Sequence, residues 1–122
     1  MRYILCLLLI LLSGCKEKEF TPVGQDYHLI QPEAPITITL KLYPDGRFYG
    51  KAINNYFGVY KIKEKNITFN LQGQTMMAGP PPHMEFESDY FKALRTIQKF
   101  NLNENQLILE GDRIYVFESN AD

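Results

Sequence analysis

Four side chains that can bind soft metal ions lie close together in the middle of this 122-residue sequence. They are Met76, Met77, His83 and Met84. Thioether sulfur and imidazole nitrogen suit Cu(I), so a copper-binding protein is one hypothesis. Methionine is also an ordinary filler of gaps in hydrophobic cores, and we expect that role to account for these residues. The sequence therefore predicts no bound metal and no other cofactor.

Residues for acid–base or nucleophilic catalysis are sparse. Glu85 and Asp89 are one helical turn apart, but carboxylates early in a predicted helix are explained by the helix dipole. The two histidines, His28 and His83, fall in separate predicted segments. The sequence has no Gly-rich phosphate loop, His-Glu-x-x-His motif or Gly-x-Ser-x-Gly motif. We expect no catalytic residue and no enzyme activity, with an uncharacterised enzyme as an alternative.

Cys15 has the sequence context of a lipid attachment site. Residues 3–12 form an apolar run that suits a secretory signal peptide and is too short to span a bilayer. The four residues that end in this cysteine, Leu-Ser-Gly-Cys, resemble a bacterial lipobox, in which the cysteine is acylated and becomes the new N-terminus. We therefore predict a lipoprotein with a signal peptide over residues 1–14 and an acyl anchor, such as palmitate, on Cys15.

The predicted anchor specifies the location. Acylated Cys15 would attach the protein to the lipid bilayer of the bacterial cell envelope, and Lys16 favours the outer membrane, facing the periplasm, if the cell is Gram-negative. Residues 15–26 are charged and then contain Pro and Gly, so we predict a lipidated tether. A net charge of -1 gives no overall positive field for a phosphate backbone, which argues against a dedicated nucleic-acid binder.

Alternating apolar and polar residues predict strands on both sides of a central helix. The strands before it begin near Tyr27 and include residues 36–42, 47–52, 59–65 and 67–71. Lys61, Lys63 and Lys65 lie on the same side of the predicted strand at residues 59–65. We expect them to be solvent-exposed, with a patch for anionic lipid headgroups as the alternative.

The second half of the sequence predicts one helix and a three-stranded meander. Gly79 and the three prolines after it indicate a stiff connection. A stripe of apolar residues from Met84 to about Ile97 has helical spacing, and strands follow over residues 99–102, 106–110 and 113–118. The predicted fold is mainly β with one helix (α+β): a curved antiparallel sheet or small open β-barrel packed on a single amphipathic helix.

Two separated motifs resemble those of the META domain, the HslJ-like family of small bacterial envelope proteins. The first is Asn-Asn-Tyr-Phe-Gly-Val-Tyr at residues 54–60, and the second is Thr-Met-Met-Ala-Gly-Pro at residues 75–80. The positions that carry the match are Asn54, Tyr56, Gly58, Thr75 and Met77. The resemblance implies a META-like domain, which we place at residues 27–122.

The resemblance implies a fold and a setting but no reaction. Members of the family are linked to envelope stress and antibiotic tolerance, without an established catalytic residue. Where the family commonly has cysteines, this sequence has Ile53 and Gly79, so a disulfide or thiol role cannot be transferred. We expect a non-catalytic protein that contacts an envelope protein, a glycan or an apolar ligand.

Overall fold

A computed structural model describes residues 21–119 of the chain. The predicted signal peptide and Cys15 lie outside the described residues, as does the first half of the predicted tether. No helix within residues 21–119 combines the length and the apolar character needed to cross a bilayer.

Eight strands and one helix follow each other along the chain. The strands are β1 (Asp26–Gln31), β2 (Thr39–Leu42), β3 (Arg47–Lys51), β4 (Asn55–Lys63), β5 (Asn66–Gln74), β6 (Lys99–Asn103), β7 (Gln106–Glu110) and β8 (Ile114–Ser119). The helix, α1 (Pro81–Leu94), connects β5 to β6. The chain therefore has five strands before the helix and a meander of three after it.

The strands form a closed barrel in sequence order, and every strand pair is antiparallel. The ring closes where β1 pairs with β8, with Tyr27 opposite Ser119 and Leu29 opposite Phe117. The pairing of β5 with β6 is short, because it includes a single residue pair, Asn66 with Lys99. The helix connects β5 to β6, and its residues Tyr90, Phe91 and Leu94 belong to the core.

The predicted fold class is confirmed: the protein is mainly β, with a curved antiparallel sheet and one helix. The strand that we predicted from residue 59 begins earlier, at Asn55, and contains a bulge between Phe57 and Gly58. A bulge places one extra residue in a strand and interrupts its alternation, which explains why the alternating pattern begins only after it.

The helix begins three residues before the predicted start at Met84, at Pro81. Proline is tolerated in the first turn of a helix because the N–H groups of that turn have no partner within the helix. The prolines that we interpreted as a connection thus form the first helical turn, with Pro80 as the N-terminal cap. Glu85 consequently lies in the second turn, and the first turn contains no acidic residue.

Aromatic side chains fill the interior of the barrel. The alternating residues Tyr56 and Phe48 point inward from neighbouring strands, and Tyr90 enters from the helix. The Tyr90 ring packs edge-on against Tyr56 at 5.6 Å and against Tyr115 at 5.4 Å. Such T-shaped pairs stabilise a core beyond the burial of their area, so the helix is fixed rigidly against the barrel.

Candidate functional site

A groove lies between one side of α1 and the segment that leaves β5. Its volume is about 400 Å³, which falls within the range of small-molecule sites. The residues that line it are Asn54, Gln74, Met76, Met77, Ala78, Met84, Glu87, Ser88, Phe91, Lys92 and Arg95. Most of the surface exposed in the groove is apolar, although six of these residues carry polar or charged groups.

Asn54 joins the three segments that build the groove. It is buried, with 3% of its surface exposed, just before β4 begins. Its side-chain oxygen accepts hydrogen bonds from the Thr75 hydroxyl at 2.9 Å and from the Met77 backbone N–H at 2.5 Å. Its side-chain nitrogen donates to the Met77 carbonyl at 3.2 Å and to the Glu87 carboxylate at 3.1 Å. One amide therefore holds the strand, the connecting segment and the helix together.

Thr75 extends this contact to the backbone of β4. Its hydroxyl accepts a hydrogen bond from the backbone N–H of Asn55 at 3.1 Å. Its own backbone N–H donates to the Asn55 carbonyl at 3.0 Å. Since the hydroxyl also donates to Asn54, each of its hydrogen-bonding functions is used, and the wall of the groove has a fixed position.

Glu87 is a buried carboxylate at the inner end of the groove. It is 5% exposed and accepts hydrogen bonds from Asn54: the backbone N–H at 2.8 Å and the side-chain amide at 3.1 Å. A buried charge is costly unless hydrogen bonds replace its hydration, and these donors provide that replacement. Both carboxylate oxygens are engaged, because the side-chain amide binds Oε1 at 3.1 Å while the backbone N–H binds Oε2, which the amide also contacts at 3.3 Å.

Tyr56 lies in the barrel interior, away from the groove. Its hydroxyl donates to the Thr39 carbonyl at 2.6 Å and lies 2.6 Å from the Tyr90 hydroxyl. A phenol has a single proton to donate, so Tyr90 is the donor in the contact between the two hydroxyls. Burial raises the pKa of Tyr56 well above its ordinary value. This residue fixes the helix to the barrel and takes no part in the groove surface.

Gly58 allows β4 and β5 to pack closely against each other. A Cβ atom at this position would overlap the backbone carbonyl of Asn70 and lie 2.9 Å from the Phe48 ring. Only glycine allows this approach, which occurs at the bulge in the pairing of β4 with β5. Gly58, like Tyr56, therefore has a structural role.

The methionines of the possible copper cluster line the groove. Met76, Met77 and Met84 are exposed by 87%, 50% and 40%, so they are not the core residues that we expected. His83 is not among the lining residues, and its backbone N–H donates to the Pro80 carbonyl at 2.9 Å. Within residues 21–119, no group of three or more His, Cys, Asp or Glu side chains could hold a metal ion. The groove thus brings together the three thioethers without the imidazole.

Two cations lie along the helical side of the groove. Lys92 and Arg95 are exposed residues at the C-terminal end of α1. Neither forms an ion pair within residues 21–119, although Arg95 donates to the Phe91 carbonyl at 3.3 Å. An apolar surface bordered by cations can bind an apolar molecule or peptide segment that carries negative charge.

The structure divides the motif residues into two groups. Asn54, Thr75 and Met77 meet at the groove through direct hydrogen bonds, whereas Tyr56 and Gly58 organise the barrel. Sequence reasoning placed Glu87 among the acidic residues early in the predicted helix and in the helix that follows the second motif, but gave it no role in a site. Its position could have been a signal, because the spacing of Met84, Glu87, Phe91 and Leu94 puts a carboxylate on the buried stripe of the helix.

The two positions that depart from the family motifs are in contact. A Cβ atom at Gly79 would lie 3.2 Å from Cδ1 and 3.6 Å from Cγ2 of Ile53. The residue before the first motif therefore packs against the second motif, which precedes α1. This chain makes that contact with an isoleucine side chain and a glycine backbone.

The sequence matches the META domain over residues 17–121, and the chain belongs to the META domain family. This membership agrees with the barrel, the single helix and the hydrogen bonds that join the two motifs. No curated protein matches the sequence.

Solved structures share the fold at low sequence identity. A protein from Burkholderia xenovorans, solved by NMR, is 22% identical with a TM-score of 0.67, and the match covers 83% of this chain and 85% of that chain. A DUF4847 family protein from Bacteroides vulgatus is 16% identical with a TM-score of 0.56, over 69% of this chain and 59% of that one. Another NMR structure is 17% identical with a TM-score of 0.59, over 81% and 94%. At these identities the likeness concerns the fold alone.

Proposed function

We propose that this protein is a non-catalytic, membrane-tethered lipoprotein of the bacterial cell envelope that acts through contact at the groove. The observation that carries the proposal is the groove itself, which combines exposed methionines with two cations that have no ionic partner in residues 21–119. Methionine side chains are flexible and polarisable, and they are common at surfaces that adapt to a partner. The partner or ligand is therefore apolar and carries negative charge.

The hydrogen bonding of the groove supports binding rather than turnover. A general base needs a free carboxylate or imidazole within reach of substrate, but Asn54 occupies both oxygens of Glu87. Ser88 has no hydrogen bond to a base within residues 21–119, so it lacks the activation that a nucleophile requires. Every buried polar side-chain atom in the described part of the chain already has a partner.

The proposed setting is the envelope, with a role in stress or antibiotic tolerance. The support for this setting is the lipobox at Cys15 together with membership of the META domain family. The short distance in sequence between Cys15 and the first described residues would keep the groove near the bilayer.

Lipidation is tested by mass spectrometry of protein extracted from the native membrane. We expect the N-terminal peptide to begin at Cys15 and to carry acyl mass, and we expect the Cys15→Ser precursor to lose it. A Cys15→Ser chain that is secreted at normal abundance should also fail to restore the tolerance of a deletion strain. An unmodified Cys15 peptide in the native protein would exclude the lipoprotein proposal.

A further inference from the structure

Aromatic and basic side chains share the outer surface of β2, β3 and β4. We call this surface the basic-aromatic face, and it comprises Tyr43, Tyr49, Lys51, Phe57, Lys61 and Lys63. Tyr49 and Phe57 are 40% and 41% exposed, although large apolar rings are usually buried. Their rings lie 6.3 Å apart, and Tyr43 packs edge-on against Tyr49 at 5.3 Å. The three rings thus form one continuous strip on the outside of the barrel.

The backbone beneath Phe57 supports its exposed position. Phe57 pairs with Gly73 across β4 and β5, and a Cβ atom on that glycine would lie 2.6 Å from the phenyl ring. The ring therefore occupies space that a side chain at residue 73 would need. Tyr49 lies between two neighbours on the outer surface of the sheet, because it pairs with Phe57 on β4 and with Lys41 on β2.

Charge is distributed unevenly around the barrel. Residues 39–63, which contain β2 to β4, hold five Lys or Arg and one Asp, a net charge of +4. Residues 99–119, which contain β6 to β8, hold two Lys or Arg and four Asp or Glu, a net charge of -2. Lys51, Lys61 and Lys63 are exposed and form no ion pair within residues 21–119. The basic-aromatic face is therefore on the positive side of the barrel.

The N-terminal segment enters the barrel beside this face. Val23 bridges to Leu42 in parallel, and the N–H of Gly24 donates to the Leu42 carbonyl at 2.8 Å. Leu42 immediately precedes Tyr43, the first ring of the strip. Cys15 is six residues before Thr21, and six extended residues span at most about 20 Å. An acyl anchor on Cys15 would thus hold this end of the barrel close to the bilayer.

We propose that the basic-aromatic face lies against the anionic surface of the membrane in which the protein is anchored. Tyrosine and phenylalanine rings occupy the interfacial layer of a bilayer, and lysines are attracted to anionic headgroups within a Debye length. The tether makes this contact intramolecular, so a weak affinity is enough to orient the domain. The inference goes beyond the proposed contact at the groove, and it depends on lipidation of Cys15.

The orientation is measured by NMR on the mature chain, residues 15–122, attached to nanodiscs. Cys15 is the only thiol of this chain, so a maleimide lipid couples to it selectively and reproduces the anchor. The nanodiscs contain phosphatidylglycerol, phosphatidylethanolamine and a lipid-linked gadolinium chelate. We expect at least threefold greater paramagnetic broadening of the amides of Tyr49, Phe57 and Lys61 than of Ile108 and Val116 on β7 and β8. Equal broadening, or the opposite order, would overturn the inference.

Matched charge reversals test whether the lysines orient the domain. We expect Lys61→Glu with Lys63→Glu to reduce the difference in broadening at least twofold, as should replacement of the anionic lipid by phosphatidylcholine. Lys99→Glu with Arg113→Glu makes the same change in net charge on the other side of the barrel and should leave the difference unchanged. If both pairs have the same effect, or neither has any, the proposed face is wrong.

The nanodisc experiment and the mass spectrometry of Cys15 test different proposals. Absence of acyl mass on Cys15 in native protein removes the lipoprotein proposal, whatever the coupled chain does on nanodiscs. If Cys15 is acylated in cells but the coupled chain has no preferred orientation on nanodiscs, only the proposal that the basic-aromatic face lies against the membrane is wrong. A face that serves a protein partner instead would give no orientation on these protein-free bilayers.

Discussion

Glu87 and Asn54 determine the shape of the groove at the scale of single residues. The buried carboxylate accepts hydrogen bonds from the backbone and the side chain of Asn54, and Asn54 in turn binds Thr75 and Met77. Removing a partner from a buried polar group leaves the other group unsatisfied, which costs more than the net value of the hydrogen bond. The motif residues therefore depend on a carboxylate outside their own motifs.

We predict that Glu87→Ala lowers the free energy of unfolding by about 2 kcal/mol, because the N–H of Asn54 would be left buried without an acceptor. Chemical denaturation measures this loss. The control is Glu85→Ala on the same helix, an exposed position where a change below about 0.5 kcal/mol is expected. Equal losses in the two variants would show that the Asn54–Glu87 contact does not stabilise the fold.

At the scale of elements, sequence periodicity predicted which segments are strands and where the helix falls. It missed the start of β4 because of the bulge at Phe57 and Gly58, and it missed the first turn of α1 because prolines mask a helical pattern. Two residues of the groove lining, Asn54 and Met77, were named through the family motifs. Their contacts could not be derived from spacing, because Asn54 meets Glu87 across 33 residues through hydrogen bonds that leave no periodic signal.

We predict that Ile53→Cys with Gly79→Cys forms a disulfide, because a Cβ at residue 79 lies within 4 Å of the Ile53 side chain. In a chain of residues 15–122 that also carries Cys15→Ser, titration with a thiol reagent should find no free thiol after oxidation. The oxidised form should be more stable than the reduced form by about 2–4 kcal/mol in chemical denaturation. Ile53→Cys alone is the control and should keep its thiol. Two free thiols in the oxidised double variant would contradict the geometry.

At the scale of the whole molecule, the barrel is closed around a core rich in tyrosine. Closure depends on the pairing of β1 with β8, whose residues are about 90 positions apart in the sequence, and local patterns do not report such pairing. Burial raises the pKa of Tyr27 to about 12, and the pKa values of Tyr56 and Tyr90 are also raised by burial. The folded state therefore retains these phenol protons at pH values where the unfolded chain loses them.

We predict alkaline unfolding from these pKa shifts. Unfolded tyrosines ionise near pH 10, so above that pH the folded state binds more protons than the unfolded state, and the free energy of unfolding falls as pH rises. Below about pH 10 the three tyrosines should contribute no pH dependence. Urea denaturation between pH 8 and 12 measures the slope, and Tyr27→Phe should make the fall above pH 10 less steep. A free energy of unfolding that stays constant through this range would contradict the burial of the three phenols.

The proposed function requires contact at the groove and no catalysis. Ser88 is an exposed residue on the groove lining, so Ser88→Trp should block the groove without entering the core. Asn101→Trp places the same side chain on an exposed position of β6 and serves as the control. His83→Ala and Asp89→Ala test the catalytic alternative.

The most direct measurement is the inhibitory concentration of an envelope-directed antibiotic for a deletion strain that expresses each variant at wild-type abundance. We predict that Ser88→Trp leaves the strain as sensitive as the deletion, whereas Asn101→Trp, His83→Ala and Asp89→Ala restore tolerance. Full tolerance with Ser88→Trp, or loss of tolerance with His83→Ala or Asp89→Ala in a folded protein, would contradict the proposed function.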